Sequence, residues 1–255
     1  GLLSMANVPC VGSGVLGSAV NMDKDICKRL LQVANIPVAP WVCQYAGQPV
    51  ADYSEMSKLL GDKLFIKAAN LGSSVGVYAA DNQATYQEAM AEVFHYDSKV
   101  LIERSIPMKK ELECAVYIGD TVDATLAGEL SVDKGFYDYD AKYIHADRMT
   151  FHVPADLTES QHSSVGELAK KAALTTACQG LARVDMFLLE NDALIVNEVN
   201  TLPGLTPISF YPKLWALAGK SAAGLLHELI VEAEQRHARK QALLKEPAQS
   251  VALAF

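Results

Sequence analysis

The chain of 255 residues is half apolar and carries a formal charge of −8 at pH 7. That allows a sizeable core in one or two domains and argues against nucleic acid or an anionic membrane as the main partner. No apolar run approaches the roughly 18 residues of a membrane span, and the five scattered cysteines and six histidines show neither C-x-x-C nor H-E-x-x-H spacing, so neither a zinc site nor a disulfide framework is expected and a reducing, cytoplasmic setting is.

The chain opens at Gly1 without an initiator Met and with the apolar GLLSMANVP, so further residues are expected to precede it. Residues 11–20, VGSGVLGSAV, are glycine-rich but do not give G-x-G-x-x-G after a strand. A helix is predicted from Asp23, with Ile26, Cys27, Leu30, Leu31 and Ala34 on its buried face and Asn35-Ile36-Pro37 as its stop. Lys24 sits in its first turn, where a cation opposes the helix dipole. It reads either as a phosphate partner or as a solvated lysine.

An extended segment over 38–45, a short helix over 54–60 and a strand over 63–66 running into Lys67 come next. The small-residue loop 68–77 returns to a second strand, so its backbone N–H groups and two hydroxyls are free to approach a polyphosphate, with Lys67 at its base. It is not a P-loop, because no G-K-[ST] opens a helix. A helix over 82–95 buries Tyr86, Met90, Val93 and Phe94; strands follow at 100–103 and 109–116, with a meander through 127–130. Residues 133–148 form a long polar and aromatic loop, a length that is usually functional. Thr158 and Gln161 form a capping box for a helix burying Val165, Leu168, Ala169, Ala172 and Ala173. The last helix, over 221–240, is predicted to bury Leu225, Leu226, Leu229, Ile230 and Ala233, and 241–255 reads as a tail.

Residues 180–200 read as a hairpin around the two-residue loop Asn191-Asp192. Its register pairs Asp185 with Glu198, Arg183 with Asn200, Phe187 with Val196 and Leu189 with Leu194, all on one face. Abutting carboxylates destabilise a sheet unless something neutralises them. Asp185, Glu198 and the Asn200 amide oxygen make a hard, all-oxygen set suited to Mg²⁺ carrying a nucleotide phosphate. Arg183 is placed to hold a transferred phosphate or an oxyanion. The plainer alternative is a surface strand with ordinary polar residues.

M-D-K at 22–24, F-I-K at 65–67, G-S-S-V-G at 72–76, E-L-E-C-A-V at 111–116, F-Y-D-Y-D-A-K-Y at 136–143, G-L-A-R-V-D at 180–185 and N-E-V-N-T-L-P-G at 197–204 together resemble the D-alanine–D-alanine ligases of the ATP-grasp fold. The resemblance runs from about Gly1 to Arg236, with Ala68 standing where the family usually has Pro. It implies an α+β fold in which two subdomains, 23–105 and 106–240, sandwich ATP, with 1–22 the remnant of an N-terminal α/β domain that anchors the first substrate.

It further implies that Lys24 and Lys67 hold phosphates under a flap of Gly72, Ser73, Ser74 and Val75. The backbone of Glu103, Arg104, Ser105 and Ile106 meets adenine and Glu111 meets ribose, with Lys142, Phe187, Asn197 and Glu198 also at the nucleotide. Asp185, Glu198 and Asn200 bind two Mg²⁺ ions, for which Mn²⁺ substitutes. Arg183 and the Gly204 N–H stabilise the oxyanion, while Lys142, Tyr143, Ser209 and the Phe210 backbone recognise the second D-alanine and Ser73 links to Tyr143. The implied reaction is dipeptide formation through an acyl phosphate for peptidoglycan precursors, in the cytoplasm, by a homodimer when full length. An acceptor such as D-lactate is the alternative, and Tyr143 favours an amine. A chain beginning after the anchoring domain is expected to bind ATP yet make little dipeptide alone.

Overall fold

The computed structural model describes residues 1–132, 149–206 and 209–243. In chain order the elements are α1 (Leu2–Met5), α2 (Val15–Met22), α3 (Lys24–Val33), β1 (Trp41–Tyr45), α4 (Tyr53–Leu60), β2 (Leu64–Ala68), β3 (Val77–Ala80), α5 (Gln83–Val93), β4 (Lys99–Arg104), β5 (Lys110–Ile118), β6 (Val122–Ala124), β7 (Gly128–Val132), β8 (Met149–His152), α6 (Glu159–Thr175), β9 (Gly180–Leu188), β10 (Leu194–Asn200), α7 (Phe210–Leu217) and α8 (Ala222–Ala242). Two antiparallel sheets organise them. The smaller runs β1-β4-β2-β3; the larger runs β10-β9-β5-β7-β8, with β6 paired to β5. Helices gathered on the faces of antiparallel sheets make an α+β architecture, as expected from the sequence. Among the described residues no single helix is long and apolar enough to cross a membrane.

The larger sheet owes its two faces to period-two alternation. Leu112, Cys114 and Val116 of β5 and Ala182, Val184, Met186 and Leu188 of β9 point one way, against Val165, Ala169, Ala172 and Ala173 of α6. Three alanines on that helix face bring its backbone close to the sheet, and truncating a fully enclosed side chain such as Leu112 would cost about 2–5 kcal/mol. The capping box forms: Gln161 N donates to Thr158 Oγ1 at 3.2 Å, and Thr158 N donates to Gln161 Oε1 at 2.9 Å. The opposite face divides. At one end Ala115 and Leu181 lie under Phe210, Tyr211, Leu214 and Trp215 of α7 and Leu225 and Leu229 of α8. At the other end it carries Glu111, Glu113, Arg183 and Asp185.

The smaller sheet packs Leu64, Ile66, Ala68, Val100 and Ile102 against Met56 and Leu60 of α4 and Tyr86, Ala89, Met90 and Val93 of α5. Helix α3 precedes this sheet in the chain but buries Cys27 and Leu31, with Ile36 just beyond, in the core of the larger one. Val38 bridges Val196 in parallel, and Val196 N donates to Pro37 O at 2.9 Å. The α3 segment is thereby fastened to the larger sheet while its N-terminus faces the smaller.

Two expectations need correction, and one helix is not anticipated by the sequence pattern. On α3, Ile26 and Leu30 are exposed and only Cys27 and Leu31 of the predicted face are buried. On α8, Leu226 and Ile230 are 45% and 50% exposed, because α8 meets α7 and β9 along the narrower stripe Leu225, Leu229 and Ala233. Within the glycine-rich 11–20 stretch, residues from Val15 onward belong to helix α2. Gly17 permits it, since a Cβ there would lie 2.3 Å from the Ala177 carbonyl oxygen. Asn21 Nδ2 then donates to Gly17 O at 2.8 Å and Thr176 O at 3.0 Å. Tertiary packing here overrides the low helix propensity of glycine.

Candidate functional site

The hairpin β9–β10 brings Asp185 opposite Glu198 and Arg183 opposite Asn200. Nearer the turn the pairing differs from the expected register: Phe187 faces Ile195, Met186 faces Val196 and Leu188 faces Leu194. The turn holds three residues, because Leu189 N donates to Ala193 O at 2.9 Å, and Asp192 takes φ 63°. The register then shifts between Val196 and Glu198, which leaves Asn197 as the extra residue of a bulge. Val196 and Val199 therefore both reach the core, while Glu198 and Asn200 stay with Asp185.

β5 adds the next column. Glu111 stands opposite Phe187, Glu113 opposite Asp185 and Ala115 opposite Arg183. The guanidinium of Arg183 donates from Nε to Asp185 Oδ1 at 2.7 Å and from NH2 to Asp185 Oδ2 at 2.6 Å, and its Nε lies 2.9 Å from Glu113 Oε2. Burial opposes its charge, but Asp185 and then Glu113 and Glu198 hold the arginine firmly protonated. Asn200 Nδ2 donates to Asp185 Oδ2 at 3.1 Å and to Glu198 Oε1 at 3.4 Å. Glu113 was not among the residues predicted for the site. The alternation E-L-E at 111–113 contains the signal, because period two puts both carboxylates on one face.

Facing this acidic surface is a basic one built on the smaller sheet. Lys67 on β2 pairs with Glu103 on β4, and the second oxygen of Glu103 pairs with Lys28 of α3. Burial disfavours the Glu103 carboxylate, yet Lys67 and Lys28 bring its pKa down to about 2. Lys24 extends from the first turn of α3 and donates to the Leu71 carbonyl at the start of the glycine loop. Its pKa is lowered chiefly by burial, with Glu198 opposing and Lys67 adding to the effect. Lys24 thus stands between the two charge sets. The helix tolerates it because Asp23 caps Asp25 N and Ile26 N at 3.1 Å each, and Lys99 holds Asp23 and Asp25 at 2.8–3.0 Å.

In the loop above, Ser73 and Ser74 take φ 57° and 59°, conformations costly for residues with a Cβ and characteristic of functional loops. Ala68 N donates to Gly76 O at 2.9 Å and Val75 N to Gly72 O at 3.1 Å, which closes the loop into a tight flap. At the far side Gly204 packs so closely on Ser209 that a Cβ would lie 2.6 Å from its Oγ. Ser209 Oγ also lies 2.8 Å from Thr206 Oγ1. The Phe210 ring is core, 4.8 Å from Phe151, so only its backbone is available to a ligand.

Arg104 turns away, donating to Leu60 O at 2.8 Å and Leu59 O at 3.3 Å. The amides of Arg104 and Ser105 are bonded to Pro40 O and Lys63 O, each at 2.9 Å, and Ile106 is half-buried at the end of this segment. Lys142 and Tyr143, with the rest of the 133–148 stretch, lie outside the described residues.

The predicted metal ligands pass a chemical test. Asp185 and Glu198 bring carboxylate oxygens together, with the Asn200 amide between them turning its nitrogen to both and able to present its oxygen by rotation, on a face whose four carboxylates outnumber its one arginine. Among the described residues no three His, Cys, Asp or Glu side chains make a ready cage, so the set is two carboxylates completed by an amide. Such a pair suits a hard cation that keeps water and phosphate ligands of its own.

Comparison with known proteins follows the same lines. A family profile described as "D-ala D-ala ligase C-terminus" matches residues 30–231. The D-alanine–D-alanine ligase of Shouchella clausii is 49% identical over 244 residues, which covers 95% of this chain and 66% of that protein. The structure of the D-alanine–D-alanine ligase from Coxiella burnetii aligns with a TM-score of 0.82 at 34% identity, covering 94% of this chain and 65% of that one. The Bacillus anthracis D-alanine–D-alanine ligase complexed with ATP aligns with a TM-score of 0.80 at 25% identity, covering 94% and 75%. The chain therefore spans about two thirds of the length of the curated relatives it matches.

Proposed function

The chain belongs to the D-alanine–D-alanine ligase family, and from that premise we propose that it serves ATP-dependent joining of two D-alanines. One carboxylate is phosphorylated by ATP, the amine of the second D-alanine attacks the acyl phosphate, and phosphate leaves. A carboxylate is a poor electrophile, and phosphorylation supplies the leaving group that amide formation needs.

The observation that carries this reading is the position of Lys24, which interacts both with Glu198 of the Asp185, Glu198 and Asn200 group and with Lys67. A polyphosphate needs cations on one side and, on the other, oxygen ligands for its counter-ion. In this reading units 23–105 and 106–240 grip the nucleotide between them. Lys24 and Lys67 hold phosphate oxygens under Gly72, Ser73, Ser74 and Val75; Glu111 takes the ribose; and the backbone over 103–106 meets the base beside Phe187 and Asn197. Asp185, Glu198 and Asn200 would hold Mg²⁺, or Mn²⁺ in its place, which supplies charge compensation for the triphosphate.

Arg183 and the Gly204 N–H stabilise the negative oxygen that forms when the amine attacks, a contact of a kind worth roughly 3–4 kcal/mol. Ser209 and the Phe210 backbone, with Lys142 and Tyr143, position the acceptor amine. The B. anthracis relative was solved with ATP bound, which supports the nucleotide assignment.

The test is a calorimetric titration of ATP with and without Mg²⁺, alongside phosphate release in the presence of D-alanine. ATP binding that strengthens with Mg²⁺ is expected, with only slow D-alanine-dependent phosphate release from this chain alone. A chain that binds no ATP under either condition overturns the reading.

A further inference from the structure

Lys28 belongs to none of the roles assigned above. Its side chain is almost fully enclosed, and so is that of Glu103. Glu103 is shared, with one carboxylate oxygen on Lys28 and the other on Lys67. Lys28 also donates to Ala39 O at 3.1 Å and lies 5.4 Å from the centre of the Trp41 ring. That ring is itself fixed, because Trp41 Nε1 donates to Asp25 Oδ1 at 2.9 Å. The ammonium is held by these three groups and is shielded from solvent.

Burying an ion triad is expensive, so its charge count is informative. Glu103 aims Lys67 but, taken as a pair, cancels its charge. Adding Lys28 brings the group of two lysines and one glutamate back to +1, and Lys67 is the more exposed of the two lysines, at 14% against 4% for its side chain. We propose that Lys28 is a positioning residue that holds Glu103 from behind, so that Glu103 orients Lys67 without neutralising it toward a polyphosphate. This rests on the nucleotide reading above and adds a role for a side chain that touches no substrate. Lys28 follows Lys24 by one helical turn, so α3 supplies both the cation that meets the phosphate and the one that stands behind Lys67.

The experiment uses ATP with Mg²⁺ as probe and four proteins: wild type, Lys28→Met, Glu103→Gln and Lys28→Met/Glu103→Gln, each also followed by thermal unfolding. Lys28→Met is expected to weaken ATP binding about tenfold or more, because Glu103 then neutralises Lys67 and no charge is left over for a polyphosphate. The double variant is expected to recover most of that loss, since removing the carboxylate removes the need for its partner. Glu103→Gln alone is expected to lose only a small part of what Lys28→Met loses, because Lys67 then keeps its charge but not its guide. A purely structural Lys28 predicts no such recovery. A double variant as weak as Lys28→Met, or a Lys28→Met protein that binds like wild type, overturns the proposal. Should Lys28→Met fail to fold, the double variant is compared with Glu103→Gln: equal ATP affinity is expected, because Lys28 acts only through Glu103, and a difference of tenfold or more overturns the proposal. Absence of ATP binding by wild type would instead overturn the nucleotide reading itself.

Discussion

Asp185 lies opposite Glu198 because two one-residue irregularities cancel. The turn contains three residues, which slides the hairpin one step away from a two-residue register. The bulge at Asn197 slides it back. Side chains alternate along a strand, so either irregularity alone would have turned the Glu198 carboxylate to the core face. The pairing creates a concentration of negative charge that the Asn200 amide and Arg183 only partly offset.

The first prediction follows from that charge. Glu198→Gln keeps the shape of the site but removes one hard anionic ligand, so ATP affinity should lose most of its dependence on Mg²⁺, by about tenfold or more in metal affinity. Calorimetric titration of ATP with and without Mg²⁺ reads this directly. An unchanged Mg²⁺ dependence in the variant would remove Glu198 from the metal site.

A second prediction concerns pH. Glu103 has its folded pKa depressed from 4.5 to about 2. A depressed carboxylate contributes stability that is present above its unfolded pKa and lost as pH falls through its folded pKa. The contribution should therefore be complete at pH 6 and decline from about pH 4.5 toward pH 2, by a few kcal/mol in total. Urea unfolding of wild type and Glu103→Gln across this range should give curves that converge on acidification. Parallel curves would contradict it.

The contact between Gly204 and Ser209 gives a third. In Gly204→Ala the new methyl would stand 2.6 Å from Ser209 Oγ. A hydroxyl can rotate away, so stability should change by no more than about 1 kcal/mol, but the hydroxyl would leave its place beside Thr206. The apparent KM for the acceptor D-alanine should rise while ATP affinity holds. Adding Ser209→Ala should produce less than the sum of the two single effects. Strict additivity in that cycle would show the contact to be unimportant.

The stripe on α8 supplies the fourth. Leu225→Ala and Leu229→Ala should each cost about 2–5 kcal/mol, because both are 1% exposed. Leu226→Ser and Ile230→Thr should stay within roughly 0.5–1 kcal/mol. Denaturant midpoints of the four variants distinguish the observed face from the broader one that periodicity suggested. Equal losses at Leu226 and Leu225 would restore the broader face.

By itself, the sequence determined whatever depends on local chemistry. Period two in β5 and β9, the Thr158–Gln161 box and the strand, glycine loop and strand around Lys67 follow from short-range patterns, as does the resemblance to one family, whereas the Asp185–Glu198 pairing is expected from a two-residue turn that the hairpin does not have. Tertiary structure decided what depends on partners distant in the chain. Helix α2 exists because Gly17 fits against Ala177, and Ile26 and Leu30 of the apolar face predicted for α3 stay outside because only Cys27, Leu31 and Ala34 of that face meet the larger core. Glu113 becomes a partner of Arg183 only through sheet pairing across about seventy intervening residues. Lys28 reads in sequence as an ordinary helical lysine. It becomes a buried cation because β4 carries Glu103 to it, and no local pattern encodes a charge whose partner is supplied by another strand.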